Sequence, residues 1–139
     1  MMLFQLDDAG LLFMGPDIDD WAPIKAASID AIIDMDGGFD TGVIESNFTG
    51  IYLFFPFDDV EQLPDVQNLH AIGELGASLI RRNKRVLSHC GMGHNRSALV
   101  AGMILFYLGF PKEAIVTRIQ QRRVGALYNK SYRRFLENL

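Results

Sequence analysis

With 139 residues, 49% of them apolar and 22% charged, the chain reads as one soluble globular domain over 1–139, large enough for a sizeable core. No apolar run reaches the ~18 residues of a membrane span, and a single cysteine, Cys90, excludes an internal disulfide. The net charge of −4 disfavours bulk nucleic-acid binding, but it is unevenly spread: residues 1–69 carry 14 acids against Lys25 alone, whereas residues 70–139 carry 12 basic residues against 3 glutamates.

The opening stretch, Met1–Asp8, has no basic residue and turns acidic too early for a signal peptide, so a cytoplasmic location is expected. The lone cysteine fits a reducing compartment. Met1–Leu6 and Leu11–Met14 are apolar segments around Asp7-Asp8-Ala9-Gly10, the pattern of a hairpin. Gly15-Pro16 breaks the chain, and Asp19 or Asp20 can cap a short helix running to Ser28. Ala31–Ile33 and Ile51–Phe55 read as buried strands, with loop from Gly37 to Gly50 between them. Between Pro64 and Asn83, Val66, Leu69, Ile72, Leu75, Leu79 and Ile80 follow the helical period, and Asp65 is placed to cap that helix. Val86–His89 reads as a strand and Ser97–Leu108 as an apolar helix closed by Gly109 and Pro111. Helices over Lys112–Arg123 and Asn129–Asn138 complete the chain. Strands alternating with helices predict an α/β domain, its central, mostly parallel sheet flanked by helices.

Function is concentrated in His89-Cys90-Gly91-Met92-Gly93-His94-Asn95-Arg96-Ser97, between a predicted strand and a predicted helix. A strand, a tight loop and a helix N-terminus make an anion site, because free backbone N–H groups and the helix dipole point to one spot. Gly91 and Gly93 allow the backbone of residues 91–96 to curl its amides inward around a phosphoryl group, leaving His94 and Asn95 at the rim with amides that matter more than their side chains. Arg96 can grip two phosphoryl oxygens at once, which lysine cannot. A thiol beside a helix N-terminus and a cation is favoured as the thiolate, the nucleophilic form, so Cys90 is the candidate nucleophile rather than a buried structural cysteine.

The motif His-Cys-x-x-Gly-x-x-Arg-Ser resembles the signature of the cysteine-based protein tyrosine and dual-specificity phosphatases. The resemblance implies the phosphatase arrangement of strand, phosphate loop and helix. It implies hydrolysis of phosphoric monoesters through a cysteinyl-phosphate, with no metal or organic cofactor. It makes His89 an organiser of the loop and Ser97 the hydroxyl that eases departure of the sulfur. It also calls for a general acid about thirty residues upstream, after a strand. Phe55-Pro56-Phe57-Asp58-Asp59 occupies that place, and the spacing of proline to acid favours Asp59, with Asp58 as the alternative. The closing segment with Asn129 and Phe135-Leu136 is similar to the family's last helix, where the asparagine can bond a nearby loop.

The expected partner is a phosphorylated protein or another phosphomonoester, handled by a monomer away from membranes. A shallow site would also accept a phosphoinositide or an RNA 5′-triphosphate, the latter because Gly93-x-Asn95-Arg96 resembles the loop of cysteine-based RNA triphosphatases. A non-catalytic phospho-binding module is the rival of a different class. Asp34-Met35-Asp36-Gly37-Gly38-Phe39-Asp40 is acidic enough to suggest calcium, but Phe39 stands where a calcium loop needs glycine. The three histidines offer no metal-ligand spacing with Cys90.

Overall fold

The computed structural model describes every residue, Met1–Leu139. In chain order the elements are β1 (Phe4–Gln5), β2 (Leu12–Gly15), α1 (Ala22–Ala26), β3 (Ala31–Asp34), α2 (Gly42–Glu45), β4 (Ile51–Phe54), α3 (Val66–Arg81), β5 (Val86–His89), α4 (Arg96–Tyr107), α5 (Lys112–Arg122) and α6 (Lys130–Glu137). The five strands form one sheet in the order β1-β2-β5-β3-β4. Pairings β2–β5, β5–β3 and β3–β4 are parallel and β1–β2 is antiparallel, so the sheet is mixed. The antiparallel pair is the expected hairpin, its turn closed by Asp7, whose carboxylate accepts from the N–H groups of Leu11 and Leu12.

Alternation along the strands divides the core. Leu12, Met14, Ala31, Ile33 and Val86 face the large cluster built with α3 to α6, while Phe13, Ile32 and Leu87 face a small one with Ile24 and Ile29. Helix α4 runs through the large cluster with Ser97 to Leu105 buried without interruption, which is why it is apolar on every side. Helix α3 approaches it closely at Gly73, where a Cβ would stand 2.9 Å from the Met103 Cβ. Asp65 caps α3 as expected, accepting from the Asn68 N–H at 3.0 Å.

Three expectations change. Ile51–Phe54 is not buried: β4 is the outer strand, bonded to β3 alone, and Ile51 and Phe54 are 45% and 43% exposed. Residues 37–50 are not all loop, since α2 lies within them. Helix α1 is shorter than the pattern suggested, with Asp20 bonding the Ala22 N–H at its start and Ser28, at φ +54°, just beyond its end. No helix is long and apolar enough to cross a membrane.

Candidate active site

The site stands at the C-terminal ends of the parallel strands, where open α/β sheets place their ligands. Gly15 of β2 and Asp34 of β3 are both in register with His89, the last residue of β5. From there the chain turns through residues 90–95 into α4. The loop is pinned to its neighbour on both sides of the turn: the Cys90 N–H donates to the Gly15 carbonyl and the Asp17 N–H to the Gly91 carbonyl, each at 3.2 Å. Gly93 has φ +70°, and a Cβ there would lie 2.7 Å from the Pro16 nitrogen and 2.8 Å from the Gly15 carbonyl carbon. Only glycine fits both the backbone angle and the space.

The backbone N–H groups of residues 91–96 donate to no acceptor within the protein. Six consecutive free amides ahead of a twelve-residue helix are donors that an anion could take up. Cys90 lies at its floor, 2% exposed, with Sγ 3.4 Å from the Ser97 hydroxyl and accepting from the Ser97 N–H at 3.4 Å. Arg96 opens α4 and directs Nη1 to the carbonyls of Phe57 at 3.1 Å and Met35 at 3.3 Å, with the Asp36 carboxylate 3.6 Å away. Its Nε is buried with no partner.

Asp59 reaches this loop from the segment after β4. The Asn95 amide donates to its Oδ2 at 2.9 Å and the Asn129 amide to its Oδ1 at 2.8 Å. Asn95 in turn accepts the Asn129 N–H at 2.9 Å, so three segments are tied around one carboxyl. Asp58 takes another place: its carbonyl accepts from the Tyr132 hydroxyl, and its side chain makes no hydrogen bond. A groove of about 640 Å³ opens beside Asp59, lined by Asn95, Tyr128, Asn129, Lys130 and Arg134 among others.

His89 is wholly buried behind the loop. Its Nε2 lies 2.8 Å from Asp40 and 3.4 Å from Asp34, and Asp34 also accepts from the Tyr52 hydroxyl. Burial alone would lower the pKa of His89, but the hydrogen bond to Asp40 and the charges of Asp34 and Asp40 prevail and raise it. The imidazole thus stands against two carboxyls, hydrogen-bonded to Asp40 and within 3.4 Å of Asp34.

No protein-family model matches the chain, and no curated protein matches it. Solved structures do. The Yvh1 phosphatase domain from Chaetomium thermophilum aligns at 23% identity over 99% of this chain and 94% of its own, with a TM-score of 0.80. Tk-PTP in its active form aligns at 20% identity over 98% and 96%, TM-score 0.77. PTPMT1 in complex with PI(5)P aligns at 16% identity over 98% and 92%, TM-score 0.79. The chain has the fold of the cysteine-based tyrosine and dual-specificity phosphatases.

Of the residues singled out from sequence, Cys90 and Ser97 touch each other, Arg96 opens α4 and bonds the segment after β4, and Asp59 is tied to the same loop through Asn95, with His89 buried at the end of β5. Met92 stands on the rim, 67% exposed, and His94 packs its ring 5.9 Å from that of Tyr128. Several contributors escaped the sequence reading. The sequence favours the Asn95 amide over its side chain, yet the side chain holds Asp59. Arg123 fastens the loop from outside, donating to the carbonyls of Gly93 at 3.2 Å and Met92 at 3.4 Å with its guanidinium 4.3 Å from the Phe4 ring centroid. Asp34 and Asp40, read as part of a calcium-like string, are the counter-ions of His89. The one available signal was the density of acids just past a strand end.

Proposed function

We propose that the chain is a phosphoric-monoester hydrolase of the protein tyrosine and dual-specificity type, working through a cysteinyl-phosphate. What carries this reading is the loop of six free amides with Cys90 at its floor and Arg96 at its edge. In the first step the Cys90 sulfur attacks phosphorus and the bond from phosphorus to the leaving oxygen breaks. Asp59 gives that oxygen a proton, while the amides of residues 91–96 and the Arg96 guanidinium hold the three equatorial oxygens. In the second step Asp59, now the base, takes a proton from water as the water oxygen attacks phosphorus. The bond to sulfur breaks, the Ser97 hydroxyl donates to the departing thiolate, and inorganic phosphate leaves. His89 acts through the loop, as a positioning residue. No step calls for a metal or an organic cofactor.

Phosphorylated protein is the substrate we assign, handled by a monomer in the reducing cytoplasm, where a lone cysteine stays free. The similarity to PTPMT1 with PI(5)P bound gives a phosphoinositide as second reading. One neighbour is described only as a phosphatase-like interacting protein, aligned at 20% identity, so turnover is the property to test. Cys90→Ser should abolish hydrolysis of an aryl phosphate and keep binding of phosphate esters, because amides and Arg96 remain. Turnover near the parent rate in Cys90→Ser would refute the covalent route, and a panel of phosphopeptides and phosphoinositides assayed side by side separates the two substrate readings.

A further inference from the structure

The groove beside Asp59 takes no part in the bond-making steps above, yet those steps give it a place in the reaction. An acid at Asp59 must stand next to the oxygen that leaves. Whatever that oxygen carries therefore lies toward the groove of about 640 Å³ that Asp59 and Asn95 help to line. One wall is the segment after β4, with Val60 and Glu61. The other is the entry into α6, with Tyr128, Lys130 and Arg134.

The α6 wall holds two cations that the protein leaves unpartnered. Lys130 and Arg134 are four residues apart and share one face of the helix, where like charges weaken it. Lys130 is also the first residue of α6, the end at which the helix dipole disfavours a cation. Of the nine arginines, seven donate hydrogen bonds from the guanidinium to the protein and Arg133 pairs with Glu137, whereas Arg134 does neither. Glu61, on the same groove, forms no ion pair with Lys130 or Arg134. Two positive charges thus stand unneutralised where the leaving part of a substrate must lie, at a cost to the helix that carries them.

The rest of the lining narrows the occupant. Val60 and Tyr128, 49% and 63% exposed, give each wall apolar surface, and Glu61 repels a densely charged headgroup. One carboxylate on an otherwise neutral chain fits these walls. We propose that the groove is a subsite for an acidic side chain flanking the phosphorylated residue, its carboxylate held by Lys130 and Arg134, so that the preferred substrate is an acidic phosphopeptide. The inference rests on the phosphatase reading and narrows its substrate.

The test compares two phosphotyrosyl peptides that differ only in having Glu or Gln on both sides of the phosphoresidue, with p-nitrophenyl phosphate as a substrate too small to reach the groove. In the parent, kcat/KM should favour the Glu peptide by about fivefold at low ionic strength, mainly through KM, and salt should shrink the ratio. Lys130→Gln/Arg134→Gln should bring the ratio to one and leave p-nitrophenyl phosphate turnover near the parent rate, which also reports that the variant folds. Arg133→Gln, at the exposed neighbour already paired with Glu137, should leave the ratio unchanged. A parent ratio of one, or an equal fall in Arg133→Gln, would overturn the subsite while leaving the phosphatase reading intact. A loss of p-nitrophenyl phosphate turnover in the double variant would overturn it too, because the cations would then act on the reacting groups. A double variant that loses hydrolysis of a phosphoinositide and keeps the peptide ratio would give the cations to a lipid headgroup instead. A parent that hydrolyses none of these esters would overturn the phosphatase reading, and the subsite with it.

Discussion

Replacing Asn95 with alanine tests whether the loop aims the proton donor. The side chain is 1% exposed and makes two bonds, donating to Asp59 at 2.9 Å and accepting from the Asn129 N–H at 2.9 Å. A hydrogen bond to a charged group contributes ~1.5–3 kcal/mol. If that is what selects the pose of Asp59 over its freely rotating alternatives, its loss lowers the rate by ~10–100-fold, at 1.4 kcal/mol per decade. Asn129 still holds the other oxygen at 2.8 Å, which puts the single substitution at the lower end, about tenfold. The double variant Asn95→Ala/Asn129→Ala should approach the loss caused by removing the acid itself. The assay is kcat across a series of aryl phosphates running from p-nitrophenyl to phenyl. A misplaced acid hurts only leaving groups that need a proton, so the deficit must grow along the series. A deficit equal for every leaving group, or confined to KM, would mean that Asn95 supports the loop rather than the acid.

Asp59→Asn should lower kcat by ~10²–10⁴ for phenyl phosphate and far less for p-nitrophenyl phosphate, with Asp58→Asn near the parent; the reverse pattern would move the acid by one residue. Gly93→Ala places a Cβ against the backbone of Gly15 and Pro16 at φ +70°, a strain of ~1–3 kcal/mol that a lowered urea midpoint would report, and an unchanged midpoint would show that the loop relaxes freely. Mild peroxide should inactivate the protein, with phosphate or vanadate slowing the loss. Because Cys90 is the only cysteine, rescue depends on a sulfenamide with the Gly91 nitrogen or on an external thiol. Recovery with dithiothreitol should therefore fall with exposure time as sulfinic acid accumulates. Inactivation that phosphate does not slow would place the reactive group outside the loop.

The parts of this site legible in the sequence are those whose geometry is local. Cys90, Gly93, Arg96 and Ser97 lie within eight residues between a strand and a helix, so the backbone alone brings them to one spot. Periodicity was equally informative for α3 and α4, since a helix buried along one face or on all faces writes that into its own residues. Burial of β4 was not readable: Ile51–Phe54 is apolar enough for a central strand, and only the sheet order leaves it at the edge. Asp59 lies between these cases. Its spacing from Pro56 and from Cys90 favours it over Asp58, but its bonds to Asn95 and Asn129, 36 and 70 residues away, leave no mark on that spacing.

The acids after β3 make the physical reason plain. Read in a row, Asp34, Asp36 and Asp40 look like one acidic cluster, with Phe39 standing against a calcium loop. In the fold the backbone separates their duties. Asp34 and Asp40 lie against His89, 55 and 49 residues downstream, and the bond to Asp40 and the two charges raise the affinity of the imidazole for a proton against the effect of its burial. Asp36, two residues past Asp34, leaves the strand and meets Arg96 instead. The partners of both groups of acids, His89 and Arg96, stand at the two ends of the loop after β5. What the one-dimensional pattern lacked was the parallel register that sets Asp34 beside His89.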